Sequence, residues 1–194
     1  MAVVTYGDYL QFVGETELEN EQQVTQSLAS AESYANEYCR RIFAKYDSGD
    51  AAATTVTEQF SGKGTLKYFP AQAPIVSVTS VSYWDSEDWT EFDTAVYTPV
   101  ATAERVTFRE KYVFPVGDDN LQLIYVYGYT TVPASLVRAI CLIAQSNSTV
   151  STRDPDIKSE SDGEQSYTYF DNSKVTIPQE ANDLLDPFVR YPSV

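Results

Sequence analysis

Residues 121–147 read LQLIYVYGYTTVPASLVRAICLIAQSN, and their pattern decides the fold class. Leu121, Leu123, Tyr125 and Tyr127 alternate with Gln122, Ile124 and Val126, so both faces carry apolar groups, as in a strand covered on both sides. Gly128 and the Thr130–Thr131 pair break the run. Pro133 suits the first turn of a helix, where its missing N–H costs nothing. Leu136, Ala139, Ile140 and Ile143 then recur at spacings of three and four, which is one helical face. A strand, a turn and a helix therefore follow one another, and the two elements must share in a core.

Working outward, the next clear signal lies near the N-terminus. Val24, Leu28, Ala31, Ala35, Tyr38 and Ile42 form an amphipathic stripe, which predicts a helix about 35 Å long at about 1.5 Å per residue. Asn20, with Gln23 three residues on, is its expected cap, and Arg40 and Arg41 are expected in its last turn, at the negative end of the helix dipole. Thr5 and Asp8 have the spacing of a capping box for a short first helix ending before Gly14. The long stripe needs a partner, and the helix after Pro133 is the natural one.

Between these helices the period changes. Val56, Glu58 and Phe60 open a strand, and Gly62-Lys63-Gly64 reads as a hairpin turn back to residues 66–69. Residues 75–84 are rich in Val, Ser and Thr, the composition of a pleated strand. Asp85, Ser86, Glu87 and Asp88 lie between Tyr83–Trp84 and Trp89–Phe92 as a hairpin tip. Residues 96–100 and 105–108 give two more short strands. After the second long helix, residues 149–176 are polar and read as a loop without a core of its own. Pro178 opens a short final helix, and Pro187 stops or kinks it.

The expected architecture is α+β. A helical bundle, with the long amphipathic helix packed on the post-Pro133 helix, carries an inserted antiparallel β-rich subdomain and a C-terminal short helix and tail. The boundaries are 1–46 for the N-terminal helices, 54–130 for the β-rich insertion, 131–148 for the core helix, 149–177 for the acidic and aromatic loop, and 178–194 for the C-terminal helix and tail. The helical core is assigned to Val24, Leu28, Ala31, Ala35, Tyr38, Ile42, Leu136, Ile140 and Ile143.

Charge narrows the function. The 194 residues hold 13 basic and 28 acidic side chains and no histidine, for a net charge of −15. Such a surface repels a phosphate backbone, which argues against sequence-specific DNA binding through a basic patch. Lack of histidine removes Ser–His and Cys–His catalysis and histidine metal sites. Solubility is the simplest account of the acidity, with a high-salt habitat as another. Cys39 and Cys141 form no CxxC and fall in predicted helices, so free buried thiols are expected. The opening MAVVTYGDYLQF has neither the basic start nor the apolar run of a signal peptide, and no segment reaches the roughly 18 apolar residues of a membrane span.

Chemical motifs fare poorly. Gly62-Lys63-Gly64 lacks the following Ser or Thr and helix of a phosphate loop. The acidic residues from Asp154 to Glu164 miss the calcium-loop spacing and its central glycine. Asp85, Glu87 and Asp88 sit at a hairpin tip with no pocket implied, and Ser135 and Ser146 have no candidate base. No catalytic residue, metal site or cofactor is assigned. The fifteen tyrosines fit packing of a sheet or an interface better than base stacking.

The order of segments carries a resemblance. EYCRRIF is followed by LKYFPAQAPIVSVTSVSYWD, then LQLIYVYGYTTVPASLVRAICLIAQ, then IPQEANDLLDPFVRY. This order resembles the head–tail connector proteins (adaptor or head-completion proteins) of long-tailed bacteriophages and related tailed viruses, in their long form with a β insertion. Pro74-Ile75-Val76-Ser77-Val78-Thr79-Ser80-Val81 and the turn from Tyr125 to Pro133 match its structural motifs. Gln145-Ser146-Asn147-Ser148 stands where the family usually has a W.E.R ending. The resemblance implies a non-enzymatic virion protein of the head–tail neck, assembled in the host cytoplasm, with no cofactor and no membrane. Its implied partners are further copies of itself in a ring, typically of twelve, the portal protein, and the next neck or tail-completion protein. Viral DNA would pass through the channel without specific binding.

The resemblance further implies portal docking through the C-terminal part: Leu184, Leu185, Phe188, Val189, Arg190, Tyr191 and Val194. Asp154, Asp156, Glu160, Asp162, Glu164, Tyr167, Tyr169 and Phe170 are candidates for the lumen or a neighbouring subunit. Phe188 and Tyr191 could instead pin the tail onto its own domain. Two other classes stay open: a β-sandwich attachment module using Trp84 and Trp89, and an acidic-residue hydrolase. Leu28→Asp puts a charge on the core stripe. The expected outcome is loss of helical circular dichroism; a folded variant that only fails to assemble would place the stripe against a neighbour.

Overall fold

The computed structural model describes residues 2–17, 20–99, 104–109, 113–151, 159–162, 165–168 and 177–190. The chain is of mixed α+β class, with four α-helices and an antiparallel four-stranded sheet among the described residues. It divides into two compact units: Ala2–Arg40 with Pro133–Arg190, and Arg41–Val132.

The first unit is helical. Helix α1, Tyr6–Val13, opens on a capping box in which the Thr5 hydroxyl accepts from the Asp8 N–H and the Asp8 carboxylate accepts from the Thr5 N–H. It closes on Gly14 in the left-handed region. Helix α2, Glu21–Cys39, buries Val24, Leu28, Ala31, Ala35 and Cys39. Two expectations need correction here. Asn20 makes no side-chain cap bond. Ile42 is outside the helix and 52% exposed, because Arg40 takes a left-handed conformation (φ 53°) and ends the helix before the stripe reaches it. Cys39, fully buried, takes the last core position instead, and Tyr38 is half-buried. Helix α3, Ala134–Ser151, starts at Pro133, whose carbonyl accepts from the Leu136 and Val137 N–H groups. Leu136, Ala139, Ile140, Cys141 and Ile143 are fully buried. Helix α3 lies against α2 and against helix α4, Gln179–Leu185.

The second unit carries strands β1 (Thr55–Gly62), β2 (Lys67–Tyr68), β3 (Ile75–Trp84), β4 (Trp89–Glu91), β5 (Tyr97–Pro99), β6 (Val106–Phe108) and β7 (Gly117–Tyr127). One sheet has the order β1-β7-β3-β4 and a second the order β2-β6-β5, all antiparallel. Gly62-Lys63-Gly64 is therefore not a hairpin turn. It passes the chain from one sheet to the other, since β2 pairs with β6 and not with β1. Arg41 does not serve a helix terminus either: it is buried, with an ion pair of 2.7 Å to Glu104.

The sheets share one core, in which Ile75, Val81, Val106, Phe114, Leu121, Leu123 and Tyr125 are buried. Phe60 and Tyr68 stack at 3.4 Å between centroids, and Phe108 stacks on Phe114 at 4.0 Å. Central strand β7 ends at Gly128. A Cβ at its φ of 126° would come within 3.0 Å of the Ala44 carbonyl oxygen. Only glycine lets segment 44–46 run beside Tyr129, where Tyr46 N–H donates to the Tyr129 carbonyl and Tyr129 N–H to that of Ala44.

A polar knot sits beside this core. The Glu58 carboxylate accepts from the Tyr68 hydroxyl (2.7 Å), the Tyr125 hydroxyl (2.9 Å) and the Ala71 N–H (2.9 Å). The Tyr125 oxygen also accepts from the Gln72 N–H at 3.0 Å. Tyr125→Phe removes a donor to a carboxylate and orphans a backbone N–H. Urea unfolding should show a loss of about 1–3 kcal/mol. An unchanged midpoint would mean that the knot contributes nothing.

Candidate interaction surfaces

The C-terminal segment is bound to the helical unit at several points between Glu180 and Arg190. Tyr34 donates to the Asn182 side-chain carbonyl (3.0 Å), Tyr38 to the Asp186 carboxylate (2.6 Å), and the Arg190 N–H to the Cys39 carbonyl (2.9 Å). Arg138 meets Glu180 at 2.7 Å. Pro178 caps α4, and a single 3₁₀ turn, Asp186–Phe188, follows it, set by Pro187. Leu185 is fully buried and its carbonyl receives the Cys39 thiol at 3.6 Å. It belongs to the core and is not a docking contact, which corrects that assignment. Leu184, Phe188, Val189 and Arg190 are half-buried, and Tyr191 and Val194 lie outside the described residues.

The stretch read as a polar loop is shorter than expected. Helix α3 runs on to Ser151, and strands β8 (Ser159–Asp162) and β9 (Gln165–Thr168) form an antiparallel hairpin. Glu160 pairs with Tyr167 and Asp162 with Gln165. With polar residues on both faces, these strands carry no alternation of apolar and polar residues to reveal them. Asp154, Asp156, Glu164, Tyr169 and Phe170 lie outside the described residues.

The third surface is the turn between β3 and β4. Trp84 pairs with Trp89 across the ladder, their rings edge to face at 5.5 Å. Beneath them Asp85 accepts from the Glu87 and Asp88 N–H groups and from the Thr90 hydroxyl. The Asp88 and Glu87 amides, then Thr90, hold its carboxyl below the usual value. No group of metal-ligating side chains occurs among the described residues, and Cys39 and Cys141 are buried and form no disulfide. Burial, then the charge of Asp8, pushes the Cys141 thiol up to about 12.

Comparison with known proteins then assigns the chain. Residues 2–191 match the family model described as head completion protein. The chain belongs to the head completion protein family. Three solved structures share the fold of this head completion protein. A chain from the neck of an empty gene transfer agent (GTA) particle, computed with C6 symmetry, matches at TM-score 0.60 and 11% identity, over 98% of this chain and 91% of that one. A chain from the neck of the native particle, computed with C12 symmetry, matches at 0.56 and 12%, over 100% and 95%. One from the virion of the native particle matches at 0.59 and 13%, over 97% and 89%. No curated protein matches this head completion protein.

The Tyr38–Asp186 bond makes a pH prediction. The hydrogen bond to Asp186, then burial, raises the Tyr38 phenol from 10.0 to about 12. A raised phenol stabilises the fold below pH 10, and that contribution disappears between 10 and 12. In Asp186→Ala, one tyrosine should titrate nearer 10 by ultraviolet absorbance, and the Tyr38→Phe background should abolish that difference. Identical titrations of wild type and Asp186→Ala would refute the contact.

Proposed function

We propose that the protein is a structural component of the virion neck, a head–tail connector without enzymatic activity. Copies form a ring beneath the portal, which extends the DNA channel and offers a platform to the next neck or tail-completion protein. The carrying observation is the family match over residues 2–191, joined by fold likeness to neck chains across nearly the whole molecule. The necks of those particles were computed with C6 and C12 symmetry, which suits a ring of twelve. A net charge of −15 suits a channel that must release DNA, since cationic contacts would grip phosphates.

In this reading the helical bundle, with α2 packed on α3, is the body of the subunit, and the antiparallel β-rich unit is inserted into it. The half-buried Phe188, Val189 and Arg190, with Leu184 and residues 191–194, offer the portal contact. The Arg190 N–H holds the Cys39 carbonyl while Leu184, Phe188 and Val189 keep part of their surface exposed, so docking requires no unfolding. The β8–β9 hairpin, with Glu160, Asp162 and Tyr167, faces the lumen or a neighbouring copy.

Electron microscopy of the purified protein, alone and mixed with portal from the same particle, tests the proposal. A ring with a central channel, free or capping the portal, is expected. Monomers that ignore the portal would overturn it. Deleting residues 191–194 spares the bond from Arg190 to Cys39, so the variant should fold normally yet fail to cap portals. Unimpaired capping would move the docking surface elsewhere.

A further inference from the structure

The β-bearing unit holds two complementary surfaces at opposite edges of one sheet. Strand order β1-β7-β3-β4 puts β4 at one edge and β1 at the other. Gly62 pairs with Gly117, Tyr83 with Leu121 and Trp84 with Trp89, so the β3–β4 tip and the end of β1 lie at the same end of the sheet. Three strand spacings of about 4.8 Å separate them.

Among the described residues, the exposed large apolar side chains other than Ile42 belong to these two features or to the loops beside them. Trp84 is 46% exposed at the tip, while Leu66, Val113 and Val116 (79%) are exposed in the β1–β2 and β6–β7 connections and Phe69 (43%) just after β2. Those connections are tied together: Gly64 N–H donates to the Phe114 carbonyl and Phe114 N–H to that of Thr65. Between them opens a pocket of about 200 Å³, floored by Phe60, Tyr68 and Phe114 and rimmed by Lys63, Lys67 and Phe69. A cavity of about 150 Å³ admits benzene, so this one has room for the ring of one aromatic side chain.

Charge separates the two ends in the same sense. Lys63 and Lys67 are exposed and in no ion pair among the described residues, in a chain with more than twice as many acidic as basic residues. At the start of β7, Asp119 is engaged with Ser61, and the exposed Asp118 beside it is the nearest acidic neighbour in sequence to this end of the sheet. Glu87 and Asp88 flank the tryptophans at the tip. Asp85 fixes that turn, so an aromatic knob with a negative collar is held ready, at little cost in ordering.

We propose that Trp84 and the acidic tip of one copy dock into the Lys63–Lys67 aromatic pocket of the next copy. Two different patches at opposite edges make a heterologous contact, which closes into a ring by rotation. Tryptophan is among the side chains enriched at the energetic centres of protein interfaces. This assignment rests on the ring reading above and names the surfaces that would build the ring.

Cysteine crosslinking tests it. A chain carrying both Lys63→Cys and Glu87→Cys, oxidised under ring-forming conditions with portal as template, should give a ladder of covalent multimers on denaturing gels. The native thiols are buried and leave the background clean, and the two positions are too far apart for a bridge within one copy. Trp84→Ala alone and Lys63→Glu/Lys67→Glu alone should each cut ring yield at least tenfold while keeping wild-type circular dichroism. Mixed together, they should give dimers through the one intact pair and no rings. Rings without the crosslink, or with full yield from either variant, would overturn this contact and leave the ring reading standing. Absence of rings in the wild type, alone and with portal, would overturn both.

Discussion

The hydroxyl of Tyr125 is the point on which the β-bearing unit depends. It lies on the central strand β7, fully buried, and bonds Glu58 on the neighbouring strand and the backbone of Gln72. Glu58 in turn holds Tyr68 and Ala71. One tyrosine thus ties the four-stranded sheet to the segment that begins in the other sheet and returns as β3. A hydrophobic core alone would collapse these layers without fixing how they connect. The bonded carboxylate does fix it, because leaving any of these polar groups unpaired in a half-buried site is costly.

A comparable economy governs the helical unit. Among the described residues of the tail, Leu185 is the one fully buried large side chain. What holds it are polar bonds from Tyr34, Tyr38 and Arg138 and the backbone bond from Arg190 to Cys39. Such a segment is secured by a few polar bonds while Leu184, Phe188, Val189 and Arg190 stay partly exposed. That division suits the joining role proposed above.

The charge of the chain fits the same picture. With 28 acidic against 13 basic residues, copies of the chain repel one another, and the ring proposed above would have to overcome that repulsion at particular places. A local pair of unpartnered lysines beside an open aromatic pocket is therefore more informative here than it would be on a neutral protein. Position matters as much as composition: surfaces at the two edges of one sheet can be used head to tail, whereas a single self-complementary patch would stop at a dimer.

Much of the fold was determined by sequence alone, wherever a period was strong. The stripe of Val24, Leu28, Ala31 and Ala35, the face of Leu136, Ile140 and Ile143, the Thr5–Asp8 box and the β3–β4 turn all follow from local pattern. The order of these segments also pointed to the family. Tertiary structure decided the rest. Helix α2 stops at Cys39 because Arg40 adopts a left-handed conformation, which no periodicity reveals. Leu185 is core and Ile42 is surface because burial depends on what packs alongside, not on residue type. Gly62-Lys63-Gly64 joins two sheets instead of closing a hairpin because β2 finds its partner in β6, some forty residues on, and strand pairing is a long-range choice. The hairpin of β8 and β9 stayed hidden because it is polar on both faces. Local pattern thus sets which elements form, and non-local hydrogen bonding and burial set where they end and whom they meet.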